Sequence, residues 1–277
     1  MADFWTTDWL FRNEMFAPLR EVAAGLPAIG WPDLDVLNAL ANDHGRRVVN
    51  AQGTHVRFVP QAPKSRILEE GFEPRAFLTG EVQVRVLDWH DLFNALAWLA
   101  YPTTKAVINA RHYECMTSAD KGNRPAQRDA LTLFDEDGVA VVSSDAELLE
   151  LVRGFRWKEL FWYRRDAVRE RMRYFVFGHA LFCKALQPFV GLTGKAVLLL
   201  VPGAFVELDQ PAQLAELDKL LAMHIWNRER FLHGRELSPL PVLGVPGWWK
   251  ANEREDFYDD TAYFRPGRRQ ATAVSSK

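Results

Sequence analysis

Cysteine is nearly absent: Cys115 and Cys183 are the only two in 277 residues. Neither lies in a Cys-x-x-Cys pair or at the Cys/His spacing of a structural zinc module. A disulfide framework is thereby excluded as a source of stability, and reduced thiols agree with a cytoplasmic location. Charge of one sign is also lacking. Thirty-four basic against 36 acidic residues leave a net charge of −2, too little to draw the whole molecule to nucleic acid or an anionic membrane. Long apolar runs are missing as well. The greasiest tract, 174–206, is cut by Lys184, Pro188, Lys195 and Pro202 below the ~18 to 20 apolar residues of a membrane helix. No membrane partner is expected. The amino-terminal MADFWTTDWLFRNEMF carries acids where a secretory leader carries a basic region, which again points to the cytoplasm. Nor is a phosphate loop present: Gly191, Gly194 and Lys195 lack the longer spacing, and a strand-like run follows instead of a helix.

What is plentiful is apolar and aromatic matter. Hydrophobic residues make up 48%, with ten tryptophans and eighteen phenylalanines, enough for an extensive core. Trp5, Trp9, Leu10 and Phe16 stand at near-helical spacing before Gly25, Pro27, Gly30 and Pro32 break the chain, as in a wrapped arm leading to a short helix near 34–42. Extended chain is expected over 48–60 and 72–77. Leu131–Phe134 and Val139–Val142 flank Asp135, Glu136, Asp137 and Gly138, a pattern that predicts a β-hairpin. Ser144 with Glu147 reads as a capping box opening a helix that ends at Gly154. Helices are expected over 155–161, 174–186 and 214–225, and a strand over 196–201. The proline-rich 239–266 has no period and must be ordered by what it packs on.

The most informative stretch is DWHDLFNALAWLAYPTTKAVINARH, Asp88–His112. Asp88 stands at an N-cap and Asp91 adds charge at the dipole-positive end. Leu92, Phe93, Leu96 and Leu99 make the buried stripe, and Pro102 ends one helix and starts the next. His90 and Asn94 project together, as do Lys105, Asn109 and His112, so two polar stripes meet across a tight corner. Imidazole and carboxamide groups of this kind perform acid–base work, ligate a metal or position an oxyanion. The expected catalytic set is therefore His90, Asn94, Asn109 and His112, with Lys105, Arg111, Arg128 and Asp129 for substrate. Glu253, Asp259 and Asp260, near Asn252, are candidate oxygen ligands for a metal. The competing reading gives every one of these groups a structural hydrogen bond. Five arginines, Arg164, Arg165, Arg169, Arg171 and Arg173, form the one local basic cluster, interleaved with Asp166 and Glu170 for pairing along a helix.

The runs WHDLFNALAWLAYP, RDALTLFDE, FRWKELF, FGHAL, LPVLGVPGWW and FYDDTAYFRP resemble, in this order, the landmarks of a bacterial family known only as domain of unknown function 3025. The resemblance runs from about Trp5 to Pro266 and implies no activity. The fold expected is α+β, mainly α-helical with a small antiparallel β-sheet or hairpin, in a single globular domain over 1–267 with an N-terminal wrapped arm. A disordered polar tail is expected over 268–277. The functional expectation is an enzyme acting on a small anion, a phosphate-bearing one included, with no cofactor indicated. Its rival is a binding or adaptor protein that contacts nucleic acid through the arginine-rich helix.

Overall fold

A computed structural model of the chain describes residues 5–42, 48–63, 66–117 and 124–267. The expected tail over 268–277 and most of the polar loop over 118–127 lie outside them. The first segment holds α1 (Trp9–Arg12) and α2 (Arg20–Ala23), joined by a 3-10 stretch, then α3 (Leu34–Asn42). Strand β1 (Arg57–Pro60) pairs in parallel with β2 (Glu81–Val84) across the intervening α4 (Phe72–Thr79). Residues 72–77 are thus helical, not extended. The stop signal is Gly80, in the left-handed conformation at φ 73°, whose N–H returns to Ala76 O.

The corner at Tyr101 follows the sequence rules. Asp88 caps α5 (Trp89–Ala100) by accepting from Asp91 N at 3.0 Å, and Pro102 opens α6 (Pro102–Thr117). Helix α7 (Arg124–Asp137) then runs without a loop into β3 (Gly138–Ser143). The expected hairpin is corrected here: Leu131–Phe134 is helical, because Ala130, Leu131 and Phe134 fall on one face and are fully buried. Gly138 serves close approach rather than a turn, since a Cβ there would strike the Phe134 carbonyl. All six residues of β3 are buried, the pattern of a strand covered on both faces.

The main sheet has the order β4-β3-β5-β6 and is mixed, not purely antiparallel. After α8 (Ala146–Arg153) and α9 (Arg165–Arg171), β4 (Met172–Val176) pairs antiparallel with β3, Val141 opposite Tyr174. β5 (Thr193–Leu200) lies parallel to β3, and β6 (Ser238–Pro241) closes the far edge antiparallel to β5. The expected helix over 174–186 is therefore a strand followed by α10 (His179–Ala185). Two further helices, α11 (Gly203–Glu207) and α12 (Gln210–Trp226), complete the fold, the latter capped by Asp209. The cap of α8 is Asp145, accepting from Glu147 N, and not Ser144. No helix among the described residues is long and apolar enough to cross a membrane.

The first segment packs on α5. Trp5, Trp9 and Trp31 set their rings 5.3, 5.9 and 4.8 Å from that of Trp89, and Trp5 Nε1 donates to Pro27 O. Burial of this aromatic group brings the start of α5, and with it His90, against the body of the protein.

Candidate functional site

Three elements deliver the site. α5 contributes His90 from its first turn, α7 contributes Asp135 and Glu136 from its last, and α10 contributes His179 as its first residue. Gly178 makes the last placement possible. A Cβ there would sit 2.6 Å from Asp137 N and closer still to Glu136 O and Gly138 N, so only glycine lets α10 begin against the end of α7.

The two imidazoles meet edge to face with centroids 4.4 Å apart. Both present Nε2 to one oxygen, Glu136 Oε2, at 3.2 Å from His90 and 3.6 Å from His179. Both turn Nδ1 toward another carboxylate: His90 to Asp91 Oδ1 at 3.4 Å, His179 to Asp135 Oδ2 at 3.7 Å. These acids are anchored in turn. Arg85 forks onto Asp91 with two 2.8 Å bonds, and Lys105 donates to Asp135 Oδ1 at 2.6 Å and to Asn94 Oδ1 at 2.8 Å. His179 is almost wholly buried, and its Nδ1 has no hydrogen-bond partner. Side-chain exposures of 42% for His90 and 37% for Glu136 show where the cluster opens to solvent.

Electrostatics divide the two rings. Hydrogen bonds to Asp91 and Glu136 raise His90 to about 9, whereas burial lowers His179 to about 4. The bond to His90 holds Glu136 below the usual carboxylate range. Burial acts to raise Asp135, but Lys105 and then His179 prevail and keep it low. Around the rings stand five carboxylates, Asp88, Asp91, Asp135, Glu136 and Asp137, against the cations Arg85, Lys105 and Lys184. With His90 charged and His179 neutral, five carboxylates face four cations, an acidic excess of one.

Distances between the ring nitrogens and Glu136 bear on ligation. A tetrahedral ion bound at ~2.0 to 2.2 Å separates its ligand atoms by about 3.3 to 3.6 Å. The 3.6 Å edge falls at the top of this range and the 3.2 Å edge just below it, and one ligand atom from each of His90, Glu136 and His179 fits within a 4.8 Å spread. Asp88, His90 and Asp91 form the other such group among the described residues. Its acids are occupied by the helix cap and by Arg85.

The expected residues separate. His90 is in the cluster. Asn94 and Lys105 stand behind it, and His112, buried on α6, acts electrostatically on Asp135. Asn109 turns away, its Nδ2 donating to Glu73 O and Oε2. Arg111 is structural, donating to the Ile225 and Arg230 carbonyls. Arg128 and Asp129 lie on the exposed side of α7. The acids expected as ligands are engaged elsewhere: Glu253 with Arg165 at 2.5 Å, Asp259 with Lys158 at 2.7 Å, while Asp260 accepts from Ala262 N. Members of the arginine cluster pair with acids on different elements, Arg164 with Glu147, Arg165 with Glu253 and Arg171 with Asp145. Glu136 and His179 are the members of the cluster that the sequence reading did not name as site residues. The signal that could have found them is the Gly178-His179 step before a helix, set against the acids ending α7.

The family described as Protein of unknown function (DUF3025) matches residues 56–268. The chain belongs to this family. No curated protein and no solved structure matches it. The DUF3025 segment contains His90, Asp135, Glu136 and His179, so the whole cluster falls inside the family's span. It begins at Val56, whereas the resemblance was expected from Trp5, and so leaves the tryptophan arm outside.

Proposed function

We propose that this chain is a metal-dependent enzyme that holds one divalent transition ion, zinc foremost, on His90 Nε2, His179 Nε2 and the Glu136 carboxylate. The observation that carries the reading is the doubled arrangement of the imidazoles, each with Nε2 toward the shared Glu136 oxygen and Nδ1 toward its own carboxylate. Metal-ligating histidines are oriented in this way, the second carboxylate fixing the tautomer and raising the basicity of the ring. The acidic excess is of the sign that a divalent cation offsets.

Three protein ligands on a half-exposed face leave a coordination position for water or substrate, which is the pattern of catalytic rather than structural sites. The ion would lower the pKa of its bound water to about 7 and polarise an oxygen of the substrate. An anion has no reason to approach the bare cluster, with its surplus of carboxylates. With the ion in place, a small anionic substrate, a phosphate ester included, has a Lewis acid to bind. The protein's own groups then act as positioning residues: Arg85 and Asp91 orient His90, and Lys105, Asn94 and Asp135 orient His179.

The test is metal analysis of the full chain purified without chelator, followed by titration of the stripped protein with Zn²⁺, Co²⁺ and Mn²⁺. About one ion per chain is expected, with a tetrahedral Co²⁺ spectrum. His90→Ala and Glu136→Gln, both at the exposed side, abolish stoichiometric binding, and Asp135→Asn weakens it roughly 10- to 100-fold. His112→Ala and Glu253→Gln leave it unchanged. Stripped protein that takes up none of the three ions at submillimolar concentration removes the proposal.

A further inference from the structure

Away from the histidine cluster, a cavity of about 360 Å³ lies where the 3-10 stretch Glu14–Leu19, α9, β4, the start of α12 and the 245–248 segment meet. Its volume falls in the range of small-molecule sites. One side is apolar and aromatic: Tyr174 and Trp248 stand edge to face with centroids 6.1 Å apart, flanked by Val245, Pro246 and Pro18. The other side carries guanidinium groups. Arg173 is partly buried and donates to the carbonyls of Arg169, Glu170, Met172 and Val206, and among the described residues no carboxylate pairs with it. Arg169 has only Glu253, 4.0 Å away and already taken at 2.5 Å by Arg165.

The lone acid of the lining, Glu14, is neutralised by a two-pronged contact with Arg20 at 2.8 and 3.0 Å. Gln213 lines the cavity near-fully buried. It spends its amide N–H groups on the Val206 and Leu208 carbonyls, at the positive end of the 17-residue α12. The N-terminus of α12 already has the Asp209 carboxylate at its cap, so the cationic side of the cavity rests on the two guanidiniums, Arg173 with no carboxylate partner among the described residues and Arg169 with the shared Glu253, opposite the edge-to-face pair Tyr174 and Trp248. Burial lowers the Arg173 pKa, the sign of a cation short of compensation. Arg173 does cap the last carbonyls of α9, which fixes its position but leaves its charge unbalanced.

We infer that this cavity is a second ligand site, separate from the histidine cluster, which takes a small organic anion with a flat apolar body. The anionic head lies toward Arg169 and Arg173, and the body lies against Tyr174 and Trp248. Arginine forks suit both carboxylate and phosphate heads. The inference does not depend on metal at the other site.

Three probes with one body and different heads test it: 2-naphthoate, 2-naphthyl phosphate and the neutral 2-naphthol, titrated calorimetrically into the full chain. The two anions are expected to bind one per chain and at least roughly tenfold tighter than 2-naphthol, the phosphate-to-carboxylate ratio identifying the preferred head. Arg169→Gln, at an exposed position that leaves the fold alone, and Arg173→Met each weaken the anions about tenfold and leave 2-naphthol unchanged. Trp248→Ala weakens all three. Binding persists in His90→Ala and in the presence of a chelator, which separates this site from the proposed metal centre. Equal binding of anion and naphthol, indifference to Arg169→Gln, or no binding of any probe at millimolar concentration overturns the inference.

Discussion

Replacing Lys105 by methionine keeps the length of the side chain and removes its charge. The ammonium is the most deeply buried cation of the site, 4% exposed, and it holds Asp135 at 2.6 Å with Asn94 Oδ1 at 2.8 Å and the Trp98 ring centroid at 5.7 Å. In Lys105→Met, Asp135 keeps its burial and loses its partner. Stranding one member of a buried ion pair costs about 3 to 5 kcal/mol, and loss of the contact with the Trp98 ring adds about 0.5 to 1 kcal/mol. His179 at 3.7 Å and the positive influence of His112 soften the penalty, which places the expected loss near the lower bound, about 3 kcal/mol. That is roughly a hundredfold in the folding constant, a large share of the ~5 to 15 kcal/mol of a typical protein. Urea unfolding followed by tryptophan fluorescence reads it directly, with an unchanged slope expected. The double variant Lys105→Met/Asp135→Asn is expected to recover more than half of the loss, because the stranded charge goes with it. A single-variant loss below about 1 kcal/mol, or a double variant no better than the single, refutes the claim that burial of an unpaired carboxylate is what Lys105 prevents.

Two further outcomes follow from the same neighbourhood. Gly178→Ala forces its new Cβ into the backbone that ends α7, costing about 1 to 3 kcal/mol and displacing His179 from Glu136. Metal uptake by the folded fraction falls roughly 10- to 100-fold, and unaltered uptake contradicts the placement of Glu136 beside His179. Burial pushes the Cys183 thiol up to about 12, so in a Cys115→Ala background the native protein reacts with Ellman's reagent at pH 8 roughly a thousandfold more slowly than the urea-unfolded chain. Its stability advantage as a thiol is kept through neutral pH and is lost only as pH rises toward that value; native and unfolded rates within tenfold of one another show the thiol to be solvated.

Where local chemistry decides, the sequence was readable. Asp88 at its N-cap and Pro102 at the corner act within a few residues of their own position, and the helix over 214–225 lies within α12. Mixed α+β architecture was legible on the same grounds, and so was the strand at Ala196. The hairpin was misread because Leu131 and Leu133 alternate with polar residues as a strand would. Phe134, Leu131 and Ala130 reveal the helix only through their common burial. His90 was found from helix spacing, but its partners come from 46 and 89 residues downstream, and no local rule joins α5 to α7 and α10. Glu136 was read as part of a turn, and His179 lay inside the helix expected over 174–186. Asn109 shares a helix face with Lys105, yet a neighbouring element, α4, supplies Glu73 and takes it out of the site.

The tryptophan arm has a practical consequence for anyone working with this family. The matched segment starts at Val56, so a fragment cut to that boundary would delete Trp5, Trp9 and Trp31 and leave the Trp89 indole facing water one residue from His90. Such a fragment would present a sticky patch beside the histidine cluster. Boundaries drawn from sequence matching alone would amputate the aromatic packing that seats the start of α5.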